Sequence, residues 1–222
     1  IGTIKLLETM DIFKCHSLVF SSSAYIYQPN SIGLLNENSP RNPINPYGNT
    51  KLTIEKFLED LFNSNCKTWR IANLRYFNPA GAHKSGLIGE YSTNKPSNLF
   101  PIVIKVAKGE FKELSIYGNN WPTKDGTCIR DYIHIMDLAD AHIAAIEFLD
   151  NNSPQIISFN IGTGIGTSVK EVVTKFQELN KVVANKANYK GLQLKESEHQ
   201  FLMQKTADFL REFTRIIITD RQ

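Results

Sequence analysis

Three cysteines in 222 residues, Cys15, Cys66 and Cys128, are too few and too far apart to frame a fold, and none forms a Cys-x-x-Cys pair. They read as thiols of a reduced, cytoplasmic chain. The five histidines include no His-Glu-x-x-His, and His134 and His142, at a predicted strand-to-helix boundary, read as packing or surface residues rather than ligands. No metal is expected. No apolar run approaches the roughly 20 residues of a membrane span, and nothing resembles a secretory signal. Charge of one sign is also scarce. The net +3 lies wholly in residues 181–222, with eight Lys or Arg against five Asp or Glu. Without aromatic interleaving, this reads as a solvated amphipathic helix, and nucleic acid is not expected as a partner. Finally, there is no Gly-x-Gly-x-x-Gly. The one glycine-rich string, "NIGTGIGTS", has Gly162, Gly164 and Gly166 at the wrong spacing, with no acidic residue closing a following strand. It reads as a tight strand-to-helix turn with Thr167 or Ser168 as N-cap.

What is present is ordinary globular composition, 41% hydrophobic and 21% charged. "IGTIKLLETMDIF" carries Ile4, Leu6, Leu7, Met10 and Phe13 at helical spacing. A strand over about Leu18–Ser21 follows, then a loop rich in Asn, Ser and Pro (28–45), a helix through Phe62, and a strand over Trp69–Phe77. Strand, helix and strand in that order predict a parallel pair. Further on, "DLADAHIAAIEFL" is helical, with Leu138, Ala141, Ala145, Ile146 and Leu149 on one face, and "QIISFNIG" is a strand. Between Ala80 and Asp131 periodicity weakens and Gly, Pro and Asn become frequent, as in an inserted, site-building region.

The chemistry-bearing feature is Tyr47, four residues before Lys51 and downstream of the serine-rich strand end Ser21–Ser23. One helical turn puts the ammonium beside the phenol, and Ser23 can reach the same substrate oxygen. That is an acid/base site for a sugar or alcohol hydroxyl, set against the plainer reading of a tyrosine packing at a helix start. Tyr91 and Lys95 repeat the spacing, but among turn formers and a Pro, and read as loop. Asn45 as N-cap, Pro46 at the first helical position and an apolar face of Leu52, Phe57, Leu58 and Leu61 single out Tyr47.

The strings "VFSSSAYIY", "NPYGNTK", "LRYFNPAGAHKSGLIGE", "SNLFPIVIKVAKGE", "LSIYGNNWPTKDGTCIRDYIHIMDLADAH" and "FNIGTGIGTSVKEV" together resemble the UDP-glucose 4-epimerase family of extended short-chain dehydrogenase/reductases. The resemblance runs from Gly2 to about Leu179. It implies an α/β fold: a partial Rossmann-like, doubly wound parallel sheet from residues 1–79 and 136–164, with a smaller UDP-sugar-binding α/β region from 80–135 and 165–222. It also implies NAD as cofactor and a UDP-hexose as substrate, inverted at C4 through a transient 4-keto sugar. Tyr47 is then the base, Lys51 holds the nicotinamide ribose and Ser23 the reacting oxygen. Ser21, Ser22 and Phe77 join Tyr47 and Lys51 around the cofactor, and Asn78, Asn98, Leu99, Tyr117 and Arg130 grip the nucleotide. Arg130 on the diphosphate competes with a structural ion pair to Asp131 or Asp125. The helices at 2–13 and 47–62 correspond to those that pair in the family's homodimer.

Two departures shape the expectations. The family's first strand, its glycine-rich turn and its later arginine-rich segment find no match, so the chain is expected to be an incomplete copy, inactive alone, with a loosely packed divergent tail over 180–222. Tyr25 stands where the family usually has threonine and Gln28 where it has glycine. Other readings are a different NAD-dependent UDP-sugar epimerase or decarboxylase, and a non-catalytic dimerisation or UDP-binding fragment.

Overall fold

A computed structural model describes residues 1–29, 33–64, 68–90 and 96–180. The chain divides into two units, one of residues 1–77 and 139–161 and one of 78–138 and 162–222. Tyr91–Lys95, Cys66 and the tail beyond Asn180, about which the sequence raised expectations, lie outside the described residues.

The first unit is built on a parallel sheet of β1 (Ser17–Ser23), β2 (Arg70–Tyr76) and β5 (Gln155–Ile161) in that order. Ser21 pairs with Leu74 and Ser23 with Tyr76, while Tyr76 pairs with Ile161, so the three strands end level. β1 runs to Ser23, two residues past its expected end. The predicted crossover is α2 (Pro46–Ser64). Its start is capped as its sequence implies: the Gly48 N–H donates to Asn45 Oδ1 at 2.7 Å, and Pro46, which has no N–H to leave unpaired, opens the helix. On one sheet face Leu58, Ile71, Trp69 and Leu7 of α1 (Gly2–Ile12) form a core. On the other, Ala72 and Leu74 meet Ala145 and Leu149 of α4 (Ile135–Asn151).

Three expectations about helix faces need correction. In α4, Leu138, Ala141, Ala145 and Leu149 are buried, but Ile146 is 51% exposed, because it sits about 95° around the helix from the centre of their stripe. In α1 only Leu7 is buried and Met10 packs beside it, whereas Ile4 and Leu6 are exposed and Phe13, beyond the last turn, is 77% exposed. Phe57 of α2 also faces outward. The residue that occupies the middle of the α2 stripe is charged.

That residue is Glu55, fully buried. Arg75 on β2 grips it with two nitrogens, Nε to Oε1 at 3.1 Å and Nη2 to Oε2 at 2.8 Å. The Ser22 hydroxyl donates to Oε1 at 2.5 Å, and Arg41 bridges Glu59 at 2.6 Å and Glu55 at 3.4 Å. Arg75 Nη1 also donates to the Tyr27 hydroxyl and the Glu37 carbonyl, and Tyr27 donates to Asn160 Oδ1 on β5. Burial pushes the Tyr27 phenol above its ordinary pKa.

The second unit holds a sheet in the order β3 (Asn78–Ala80), β4 (Ile129–His134) and β6 (Gly166–Ser168), with β3 parallel and β6 antiparallel to β4. Its core joins Ala80, Ala82, Phe100, Val103, Ile104, Tyr132, Val172 and Phe176. α3 (Leu99–Ala107) lies in the stretch where no helix was legible. Six of its nine residues are buried, which removes the polar side that would betray a helical period, and Pro101 sits in the first turn, where a missing N–H costs little. At α5 (Val169–Asn180) the N-cap is Ser168, not Thr167: its Oγ accepts from the Glu171 N–H at 3.0 Å, and Glu171 accepts from the Ser168 N–H at 2.8 Å.

Removing one partner of the Glu55 network leaves a buried charge unpaired. Arg75→Met should therefore lower unfolding stability by about 3–5 kcal/mol, read by urea denaturation followed by circular dichroism.

Candidate active site

The level strand ends of the first unit gather the predicted acid/base residues. Lys51, one turn into α2, donates from Nζ to the Ser21 carbonyl at 2.7 Å. The same nitrogen lies 5.6 Å from the Tyr47 ring centroid and 5.3 Å from that of Phe20. Partial burial lowers the Lys51 pKa. Its hydrogen bond goes to a neutral carbonyl, which orients the ammonium beside the Tyr47 ring. Tyr47 is 53% exposed and open to a ligand.

Two features hold Tyr47 in place. The Tyr25 ring packs edge-on against it, with centroids 6.1 Å apart. Gly48, its neighbour in the helix, lies so close to the short 3-10 turn Ala24–Ile26 that an added Cβ would meet the Tyr25 carbonyl oxygen at 2.3 Å. Ser23 orders that turn, its Oγ accepting from the Tyr25 N–H at 3.2 Å.

The pleat separates the three serines. Ser22 points to Glu55 and is buried, so its hydroxyl is engaged in the core. Ser21, facing the other way, is exposed, and its Oγ lies 2.8 Å from the Tyr76 hydroxyl, which is 2.5 Å from His142 Nε2. Phe77 follows β2, its N–H donating to the Ile161 carbonyl at 3.0 Å. Sequence reasoning missed Tyr76 and gave His142 only a packing or surface role. The alternation that places Ala72, Leu74 and Tyr76 on one face of β2 is the signal that could have found the tyrosine.

In the second unit the predicted nucleotide residues are presented separately. Asn78 begins β3 opposite Tyr132, and Asn98 precedes α3 with its amide donating to Glu90 Oε1 at 2.7 Å. Leu99 opens α3 and packs on the core, and Tyr117 is 87% exposed. Arg130 is exposed, with Nη1 donating to the Ile129 carbonyl at 2.9 Å. The alternative ion pairs expected for it are not what the two aspartates make. Asp131 accepts from the Thr163 N–H and hydroxyl and the Gly164 N–H, and Asp125 accepts from Ser168 Oγ at 2.5 Å and from Thr127. Those Ser168 and Thr127 donors hold the Asp125 carboxyl below its ordinary pKa.

This donor set tests what cofactor could be held. A cation, a phenol and an exposed serine at one strand edge suit the ribose and carboxamide of a nicotinamide nucleotide. The backbone N–H groups of Thr163 and Gly164, in the glycine-rich string, are not free for a pyrophosphate, since they already face the Asp131 carboxylate.

A three-stranded parallel sheet with a serine-rich strand end beside a Tyr-x-x-x-Lys helix is an arrangement of Rossmann-like short-chain dehydrogenase/reductase folds, and residues 1–162 match the NAD dependent epimerase/dehydratase family. The chain belongs to that family. Among characterised relatives it is 49% identical over 178 residues to UDP-glucose 4-epimerase 2 of Arabidopsis thaliana, covering 80% of this chain and 51% of that protein. To the UDP-glucose 4-epimerase of Bacillus subtilis it is 46% identical over 179 residues, covering 81% and 52%. The crystal structure of UDP-glucose 4-epimerase from Bifidobacterium longum, in complex with NAD+ and UDP, aligns with a TM-score of 0.74 at 42% identity, over 81% of this chain and 53% of that one. The chain thus spans about half the length of the curated relatives it matches.

Gly48→Ala should displace Tyr47 and the 3-10 turn together, at a cost of about 1–3 kcal/mol from overpacking. The check is a lowered Tm, with loss of the Tyr25–Tyr47 cross-peak in nuclear Overhauser spectra.

Proposed function

We propose that this chain carries the acid/base half of a UDP-glucose 4-epimerase, a cytoplasmic enzyme of galactose metabolism that interconverts UDP-galactose and UDP-glucose. The observation that carries the reading is Lys51 Nζ fixed on the Ser21 carbonyl one helical turn from the exposed Tyr47. It is supported by identities of 46–49% to UDP-glucose 4-epimerases across bacteria and plants.

In this reading Tyr47 takes the proton from the sugar 4-hydroxyl and later returns it, and the ammonium of Lys51 favours the deprotonated phenol. Ser23 hydrogen-bonds the reacting oxygen, so the 4-keto sugar remains within reach of Tyr47 after the first proton transfer. NAD, when bound, supplies a reversible two-electron acceptor for C4. Tyr47, Lys51, Ser21, Ser22 and Phe77 would hold its nicotinamide end, Ser22 through the backbone because its hydroxyl serves Glu55. Asn78, Asn98, Leu99, Tyr117 and Arg130 would bind the uridine diphosphate, with the Arg130 fork on phosphate oxygens. Firm binding of the nucleotide leaves the sugar free to turn and present its other face. The domain assignment follows: residues 1–79 and 136–164 belong to dinucleotide binding, and the remainder to the UDP-sugar. A homodimer pairing α1 and α2 is part of the proposal, supported by exposed Ile4, Leu6, Ile12, Phe13 and Phe57. No helix among the described residues is long and apolar enough to cross a membrane.

A second reading, a UDP-binding or dimerising chain without turnover, is favoured by the engagement of the Thr163 and Gly164 N–H groups with Asp131. Release of NAD on denaturation and a coupled UDP-galactose assay separate the two. Robust turnover by the 222 residues removes the second reading, and UDP binding without NAD in calorimetry supports it. Where turnover is measured, Tyr47→Phe should lower kcat by about 10²- to 10⁴-fold with UDP affinity nearly unchanged. Lys51→Met should weaken NAD retention and move the rate profile to higher pH. Unaltered kcat in Tyr47→Phe would take the phenol out of the mechanism.

A further inference from the structure

The Tyr76 hydroxyl has two neighbours and one proton. It lies 2.5 Å from His142 Nε2 and 2.8 Å from Ser21 Oγ, with the Tyr76 and His142 rings 5.5 Å apart. Heavy-atom positions do not by themselves place that proton, but the chemistry of the neighbours does. An imidazole nitrogen is a far stronger acceptor than an aliphatic hydroxyl, and it is also the closer partner. With His142 carrying its own proton on Nδ1, the phenolic O–H donates to Nε2. Burial raises the Tyr76 pKa and keeps the phenol protonated for this role.

A consequence follows for Ser21. If Tyr76 donates to His142, the 2.8 Å contact with Ser21 closes only when the serine hydroxyl donates to the tyrosine oxygen. Two bare oxygens at that separation would repel. Ser21 Oγ then has no proton left for a ligand and shows it lone pairs alone. Its carbonyl is already bonded to Lys51. We propose that His142 is a positioning residue that, through Tyr76, fixes the polarity of Ser21, so that the exposed Ser21 Oγ accepts a hydrogen bond from a ligand N–H. The ligand group that fits is a primary carboxamide, as on a nicotinamide ring, and this half of the inference rests on the cofactor reading proposed above.

Two measurements on the intact chain test it. Long-range proton–nitrogen spectra of labelled protein should show His142 Nε2 without a proton, as the acceptor, and a proton fixed on Nε2 would overturn the assignment. Calorimetry should compare NAD with its 3-acetylpyridine analogue, which replaces the amide by a methyl ketone and so lacks the N–H without gaining charge. Wild type should prefer NAD by about fivefold, the worth of one hydrogen bond. Ser21→Ala should abolish that preference, and His142→Leu should reduce it while leaving affinity for the analogue unchanged. An equal fall in affinity for both dinucleotides would show a merely structural role, and an unchanged preference in His142→Leu would refute the coupling. Failure of wild type to bind either would sink the cofactor reading and the ligand half of this proposal, while the nitrogen spectrum would still decide the polarity.

Discussion

A carboxylate with no access to water, in the middle of the helix face that packs on the sheet, sets the terms for the rest of the first unit. Withdrawing Glu55 from solvent costs several kcal/mol unless its oxygens are satisfied, and the satisfying groups come from several elements at once. Ser22 ties it to β1, Arg75 to β2 and Arg41 to the loop before α2, while Tyr27 and Asn160 carry the network to β5. Strand register follows from this bond set. With Ser22 facing the helix, alternation sends Ser21 to the opposite face, where Tyr76 stands, and a slip of one residue would exchange their places. The acid/base site is thus a dependent of the core beneath it.

The same arrangement explains why the site can hold its charge. Arg75 and Glu55 answer each other inside the unit, whereas the cation nearer the surface, Lys51, meets no carboxylate of that pair. Lys51 rests on a carbonyl instead, partly buried, with aromatic rings of Phe20 and Tyr47 at its sides. A neutral hydrogen-bond partner orients the ammonium without forming an ion pair with it. Gly48 supplies the remaining condition, the close approach of helix and 3-10 turn that brings Tyr25 against Tyr47.

Much of this was legible in the sequence because it was local. Asn45 and Pro46 announced the start of α2, the one-turn spacing joined Tyr47 to Lys51, and β-α-β order implied parallel strands. The parts that stayed hidden depend on partners far along the chain. Glu55 lies 20 residues from Arg75 and 33 from Ser22, and a glutamate in a helix reads as solvent-facing until its partners are known. Tyr76 and His142 meet across 66 residues. α3 was hidden for the opposite reason, since burial on nearly all sides erases amphipathic contrast. Family strings pointed to Arg130, but only the structure shows that Asp131 is occupied with Thr163 and Gly164.

That last engagement decides what the glycine-rich turn can bind. The N–H groups of Thr163 and Gly164, with Gly164 at φ 72, form the kind of concave donor pair that captures anions. Asp131 is a resident occupant tethered by the chain, present at an effective concentration that a free phosphate reaches only in the millimolar range or above. The turn is self-inhibited as an anion trap. The carboxylate thus fixes the backbone of "NIGTGIGTS" between β5 and β6 from the neighbouring strand β4.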